Sequence, residues 1–80
     1  MDEQELVIRK AIAKNIGLML KTSPKSQVEI ARELNVDKVT ISDYKSGKSI
    51  PSLVALIKLC EALECDYSDI LVPLKSQKNS

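Results

Sequence analysis

Histidine, phenylalanine and tryptophan are absent from the 80 residues, and glycine and cysteine occur only twice each. Without histidine, neither a Ser–His–Asp type triad nor a histidine metal site can be assembled. Two thiols alone do not complete a zinc site. Two glycines leave no Gly-rich loop to cradle a phosphate. The chain is therefore expected not to be an enzyme and to need no cofactor or metal. No apolar run approaches the ~20 residues of a membrane span. Asp2, Glu3 and Glu5 stand where a secretory leader would be basic, so a cytoplasmic protein with no membrane partner is expected. Cys60 falls on an apolar helical stripe and Cys65 in the turn after it. Both read as small buried hydrophobes in a reducing compartment, not as a disulfide.

What is present is ordinary for a globular protein: 44% hydrophobic and 29% charged residues. Twelve basic against eleven acidic residues give a net charge of +1, which permits an acidic partner without demanding one. Leu, Ile, Val and Ala must build the core. One domain is expected over residues 1–72, burying about 60% of its unfolded surface, with a flexible tail over 73–80.

The apolar positions recur at helical spacing, and no strand alternation or hairpin signal appears. Ile8, Ile12, Ile16 and Met19 mark a first helix over 3–22, closed by Pro24. The run "SQVE", Ser26 to Glu29, has the form of a capping box and opens a second helix to about Leu34. Asp37 is expected to cap a third helix and Gly47 to end it with a positive φ. Pro51-Ser52 opens a fourth, with Leu53, Leu56, Ile57, Cys60 and Leu63 on one face. Asp66 and Asp69 bracket the first turn of a short fifth helix to about Leu71, from which Tyr67 and Ile70 are expected to fill the core. The fold class is all-α, a compact bundle of five helices.

The third helix, within "VDKVTISDYKSGK", is unusual. Ile41 and Tyr44 can face a core. Val39, Ser42, Asp43 and Ser46 fall at i, i+3, i+4 and i+7, a short-chained, mostly polar face on the other side. Two short helices joined by a tight turn, spanning about 26–46, form a helix-turn-helix. Ala31 is small where the two should cross, with Ile41 packing beneath it. Short side chains on the outer face let the helix sink into a groove, and the DNA major groove, about 12 Å wide, admits one.

The stretch "SQVEIARELNVDKVTISDYKSGKSIPSLVALIKLCEAL" resembles the Cro/lambda-repressor type of helix-turn-helix domain, the XRE family. The marks are Gln27, Ala31, Ile41-Ser42, Gly47-Lys48, Pro51-Ser52 and the Leu-rich fourth helix; the likeness runs from Ile12 to about Leu71. It implies a DNA-binding transcriptional regulator of bacterial or phage origin, most often a repressor. It implies double-stranded DNA as partner, with a palindromic operator bound by a homodimer. By position, Lys38, Val39, Ser42 and Asp43 match residues that face bases: Lys38 a guanine or phosphate, Val39 a thymine methyl, Asp43 a cytosine amine. Gln27, Lys45, Ser46 and Lys48 match residues that hold phosphates.

The chain departs from that pattern in places. Relatives often pair an Arg late in the first helix with a Glu late in the third; here these are Leu20 and Lys45, so an apolar contact with the Lys45 stem is expected instead. Pro24 and Glu64 stand where relatives commonly have Gly, which implies strain at Glu64 if its φ is positive. Leu71, Val72 and Leu74 form an apolar cluster suited to a dimer contact, with Val7, Ala11 and Leu18 on the first helix as a second candidate. The same fold serves two alternatives: a protein-interaction module that antagonises another regulator, and an autoregulating antitoxin.

Overall fold

The computed structural model describes residues 2–71. Its elements are α1 (Glu3–Thr22), α2 (Gln27–Leu34), α3 (Lys38–Ser46) and α4 (Leu53–Leu63), followed by a 3₁₀ turn over Tyr67–Asp69. The described residues are all-α, with no strand, and none of their helices is long and apolar enough to cross a membrane. The helix count differs from expectation, since the fifth helix is only the 3₁₀ turn. Asp66 and Asp69 do bracket it, the Asp66 N–H donating to Asp69 Oδ2 at 2.9 Å. The Ile70 and Leu71 amides both bond back to the Tyr67 carbonyl and close the turn there. One turn is a costly nucleus with little to propagate into.

Local chemistry sets the helix ends. Asp2 Oδ1 accepts from the Glu5 amide at 2.7 Å and starts α1. Ser23, ahead of Pro24, is extended (φ −74°, ψ 142°) and ends it. The capping box is made: Ser26 Oγ accepts from Glu29 N–H at 3.1 Å, and Glu29 Oε1 accepts from Ser26 N–H at 2.9 Å. The Ser26 amide thereby holds the Glu29 carboxyl below its usual range. Ser52 Oγ accepts from Ala55 N–H and starts α4.

α2 and α4 end in the same way. Asn35 (φ 59°) and Glu64 (φ 55°) both take the left-handed conformation, so the strain expected at Glu64 is present. After α2, Asn35 N–H bonds Arg32 O at 3.1 Å and Val36 N–H bonds Ala31 O at 2.9 Å. After α4, Glu64 N–H bonds Glu61 O at 3.2 Å and Cys65 N–H bonds Cys60 O at 3.0 Å. This is the Schellman pattern, in which the side chains at its two ends meet. Cys60 and Cys65 occupy those two ends. Both thiols are free, Cys60 buried and Cys65 half-buried. Burial pushes both up, Cys65 to about 11.

The core is built on Ile16, Ile30, Ile41, Leu59 and Ile70, all fully buried, with Ala31, Leu34, Leu56 and Cys60 around them. α1 packs on α3, α2 packs on both α3 and α4, and the 3₁₀ turn packs on α4. Asn15 Nδ2 donates to the Ile70 carbonyl at 3.0 Å and ties α1 to the end of the described chain. Three expected positions differ. Leu53 is 73% exposed and Ile57 lies at the surface edge, because the stripe that packs is Leu56, Leu59, Cys60 and Leu63. α4 is apolar almost all round, so its pattern admits more than one inward face. Tyr67 is half exposed, because a 3₁₀ turn directs Ile70 inward and leaves Tyr67 outside.

Two outcomes follow from this packing. Ala31 is buried, and Ala31→Leu forces three extra carbons into the crossing expected of α2 and α3; it should destabilise the protein by roughly 1–3 kcal/mol in thermal or urea unfolding. An unchanged midpoint would remove Ala31 from that crossing. With its thiol near 11, Cys65 should react with iodoacetamide at pH 8 about 100-fold more slowly in the native protein than in urea. Equal rates, read by peptide mass spectrometry, would contradict its burial.

Candidate nucleic-acid interface

α2 and α3 meet through the Asn35 turn, with Ala31 and Ile41 inside. Burial divides α3 into two faces, as its pattern anticipates. Ile41 and Tyr44 are buried, while Val39 is 65% exposed and Lys38, Ser42, Lys45 and Ser46 are exposed beside it; Asp43 is half-buried. Asp37 has extended backbone and stands at the N-cap, but its side chain makes no capping bond, contrary to expectation. The Thr40 and Ile41 amides bond instead to the Asp37 carbonyl. The carboxylate stays exposed, and the first amides of α3 lack a side-chain acceptor.

The residues singled out from sequence fall into two groups around this face. At its near end, Gln27 Nε2 donates to Ser42 Oγ at 2.9 Å, joining the start of α2 to the exposed face of α3. At its far end, Ser46 Oγ donates to Asp43 O at 3.2 Å and accepts from Lys48 N–H at 3.3 Å. The Ser49 amide also bonds Asp43 O. Gly47 makes this loop possible: its φ is +83°, and a Cβ there would lie 3.4 Å from that of Ala13. Lys48 is therefore carried by a loop pinned to α3 and pressed against α1. The one hydroxyl proton of Ser46 is committed to a carbonyl, leaving it no proton for a phosphate.

Lys45 lies along α1. A Cβ at Gly17 would lie 4.0 Å from Lys45 Cγ, and Lys45 lines a cleft with Gly17, Leu20, Lys21, Lys25 and Gln27. Leu20 and Lys45 thus share one cleft wall, where the expected apolar contact would form. Lys25 is already engaged, its ammonium bonding Glu33 at 3.0 Å and the Ala62 carbonyl at 2.8 Å. Lys21 and Lys45 make no ion pair among the described residues. Lys21 is not singled out by the sequence, since a basic residue in a helix's last turn is already explained by the helix dipole. Only its place in the cleft separates it from an ordinary surface lysine. By contrast, Glu61, Glu64 and Asp66 gather around the hollow beside Cys65 and Tyr67, at the end of α4. The near-neutral chain is locally segregated in charge.

Of the apolar cluster considered for dimerisation, Leu71 is 43% exposed; Val72 and Leu74 lie outside the described residues. On α1, Val7 and Leu18 are about half exposed, at 49% and 52%.

The chain is similar to known proteins in two respects. A helix-turn-helix family model matches residues 25–70, from the residue before the capping box to the last core residue. A crystal structure of a hypothetical transcription factor, NHTF, from Neisseria superposes with a TM-score of 0.72 at 26% identity, covering 100% of this chain and 91% of that one. No curated protein matches. The matched span contains the α2–turn–α3 unit, the Gly47 loop and all of α4, and the chain belongs to the helix-turn-helix family of DNA-binding domains, of the Cro/lambda-repressor or XRE type.

Proposed function

We propose that this protein is a cytoplasmic, non-catalytic regulator of transcription, a repressor, that binds double-stranded DNA with α3 in the major groove. The observation that carries this reading is the two-sided burial of α3, a helix whose rear holds the core and whose short-chained front is left open. The fold likeness to a hypothetical transcription factor supports it. Lys38, Val39, Ser42 and Asp43 face base edges. Gln27, Lys45 and Lys48 hold phosphates, joined by Lys21 from the cleft. Ser46 acts through Lys48, whose backbone it fixes, and not on a phosphate itself.

A module of this size offers only three or four base-reading side chains, so two copies on a palindrome, with half-sites about 34–36 Å apart, supply the specificity. Leu71, Val72 and Leu74 form the dimer contact, a reading that the exposure of Leu71 supports. A second reading, a protein-interaction module that antagonises another regulator, draws on Leu53 and Val54, which are 73% and 62% exposed on α4.

Binding to random duplex across a salt series separates the two readings. A DNA binder loses affinity steeply as salt rises, because phosphate contacts release counterions. Lys48→Ala should weaken all sequences alike and lower the salt slope by about one. Asp43→Ala should shift base preference at one or two operator positions by roughly 1–3 kcal/mol. A flat salt response, or an unchanged selected-site profile in Asp43→Ala, would sink the assignment of this face. For the dimer, sedimentation without DNA should show self-association at micromolar concentration, lost on combining Leu71→Glu with Leu74→Glu while the fold is kept. A double variant that still dimerises would move the contact elsewhere.

A further inference from the structure

The turn that ends α4 does more than close a helix. Its two main-chain bonds, Glu64 N–H to Glu61 O at 3.2 Å and Cys65 N–H to Cys60 O at 3.0 Å, bring both thiols of the protein to one hollow. They share it with Glu61, Glu64, Asp66 and Tyr67. The side chains at the two ends of such a turn meet, and the two thiols lie within hydrogen-bonding reach of one another. Neither is in a disulfide. A cysteine sulfur is one torsion away from its backbone, so bonds that hold the two backbones also hold the two sulfurs, to within one rotamer choice each. The pair is assembled before any ligand arrives.

From this juxtaposition we infer that Cys60 and Cys65 form a two-coordinate site for a soft divalent metal ion, the class to which Hg(II) belongs. The inference is independent of the DNA-binding reading. Among the described residues no group of three or more His, Cys, Asp and Glu side chains is placed to hold a metal. An ion that demands four ligands, such as Zn(II), or six oxygens, such as Mg(II), therefore finds no complete shell. An ion that accepts two ligands in line needs only the pair. Thiolate sulfur is soft and selects soft ions, while the carboxylates at the rim suit hard ones and do not compete for the same ion.

Charge decides the valence. Burial pushes both thiols up; the bond from Cys65 lowers Cys60, Cys60 raises Cys65 further, and Asp69 and Asp66 raise both. Both thiols therefore carry their protons at pH 7. Binding breaks two S–H bonds, forms two sulfur–metal bonds and releases two protons to water. A divalent ion replaces those two protons without changing the charge of the hollow. A monovalent ion such as Ag(I) leaves one added negative charge, partly out of water and facing Asp66 and Asp69, which costs binding. The surroundings that suppress each free thiolate spare the neutral bis-thiolate. The ion enters from the hollow, where Cys65 is half-buried, and reaches the buried Cys60 behind it.

The test uses the reduced 80-residue protein without oxygen, with Hg(II) supplied in an excess of glutathione, which offers the ion one sulfur per molecule. Native mass spectrometry should show one ion per chain, at the mass of the ion less two protons. X-ray absorption should show two sulfur neighbours. The thermal midpoint should rise by about 5 °C or more, because the folded pair is assembled and the unfolded one is not. Ag(I) should raise it less, and Zn(II) not at all. Cys65→Ala leaves the buried core thiol in place and should lose both the ion, to glutathione, and the rise in midpoint. The inference is overturned if the midpoint stays or falls, since the unfolded chain would then hold the ion as well as the folded one. It is overturned equally if one ion joins two chains, or if Cys65→Ala keeps the ion as firmly as the wild type. An equal rise with Ag(I) or Zn(II) overturns the choice of a soft divalent ion.

Discussion

The packing of α2 on α3, with Ala31 and Ile41 both buried, is the constraint on which the other features depend. The left-handed Asn35 returns the chain so that the Val36 amide can bond the Ala31 carbonyl. With that turn closed, Ile41 has one place to go, and burying Ile41 orients α3. The orientation of α3 decides what faces outward. α1 then packs on the rear of α3, and α4 packs on α2, so the remaining helices brace the pair from two sides. Neither short helix would hold its shape alone, since isolated helices under about 12 residues are marginal in water. The open face of α3 is held in place because Ile41 and Tyr44 on its rear are in the core.

Charge acts at a different level. The net value of +1 is a poor guide to how this surface behaves. The lysines that carry no ion pair among the described residues include Lys21 and Lys45 in one cleft, while Glu61, Glu64 and Asp66 gather at the end of α4. Lys25 bridges the two regions, holding a carbonyl at the end of α4 from the loop before α2. A surface organised in this way meets an anionic partner in one orientation more readily than in others, whatever its total charge.

Much of the fold was legible because its boundaries are made by local chemistry. The capping box at Ser26, the extended Ser23 before Pro24 and the left-handed Gly47 each depend on residues within four positions of one another. The two faces of α3 were legible for a related reason: with only Ile41 and Tyr44 large and apolar along its inner side, one burial pattern satisfies it. α4 was less legible because it is rich in Leu, Val and Ile on every side. Only packing chose Leu59 over Leu53 and Ile57. The 3₁₀ turn in place of a fifth helix, and the outward Tyr67, turn on the bonds made to one carbonyl, which no pattern of apolar residues encodes. In the candidate site, the lysines were legible as charges but not as a cleft. The Gln27–Ser42 bond spans two helices and has no signal in either alone.

The absence of tryptophan has a practical side. The two tyrosines are the only fluorophores in the sequence, and no indole drains their emission. Tyr44 is buried on the rear of α3, and Tyr67 stands half in solvent in the 3₁₀ turn. A neutral quencher therefore reaches Tyr67 first, and the protected fraction of the emission belongs to α3. The protein carries an intrinsic optical reporter on the element that would enter the groove, readable without a label.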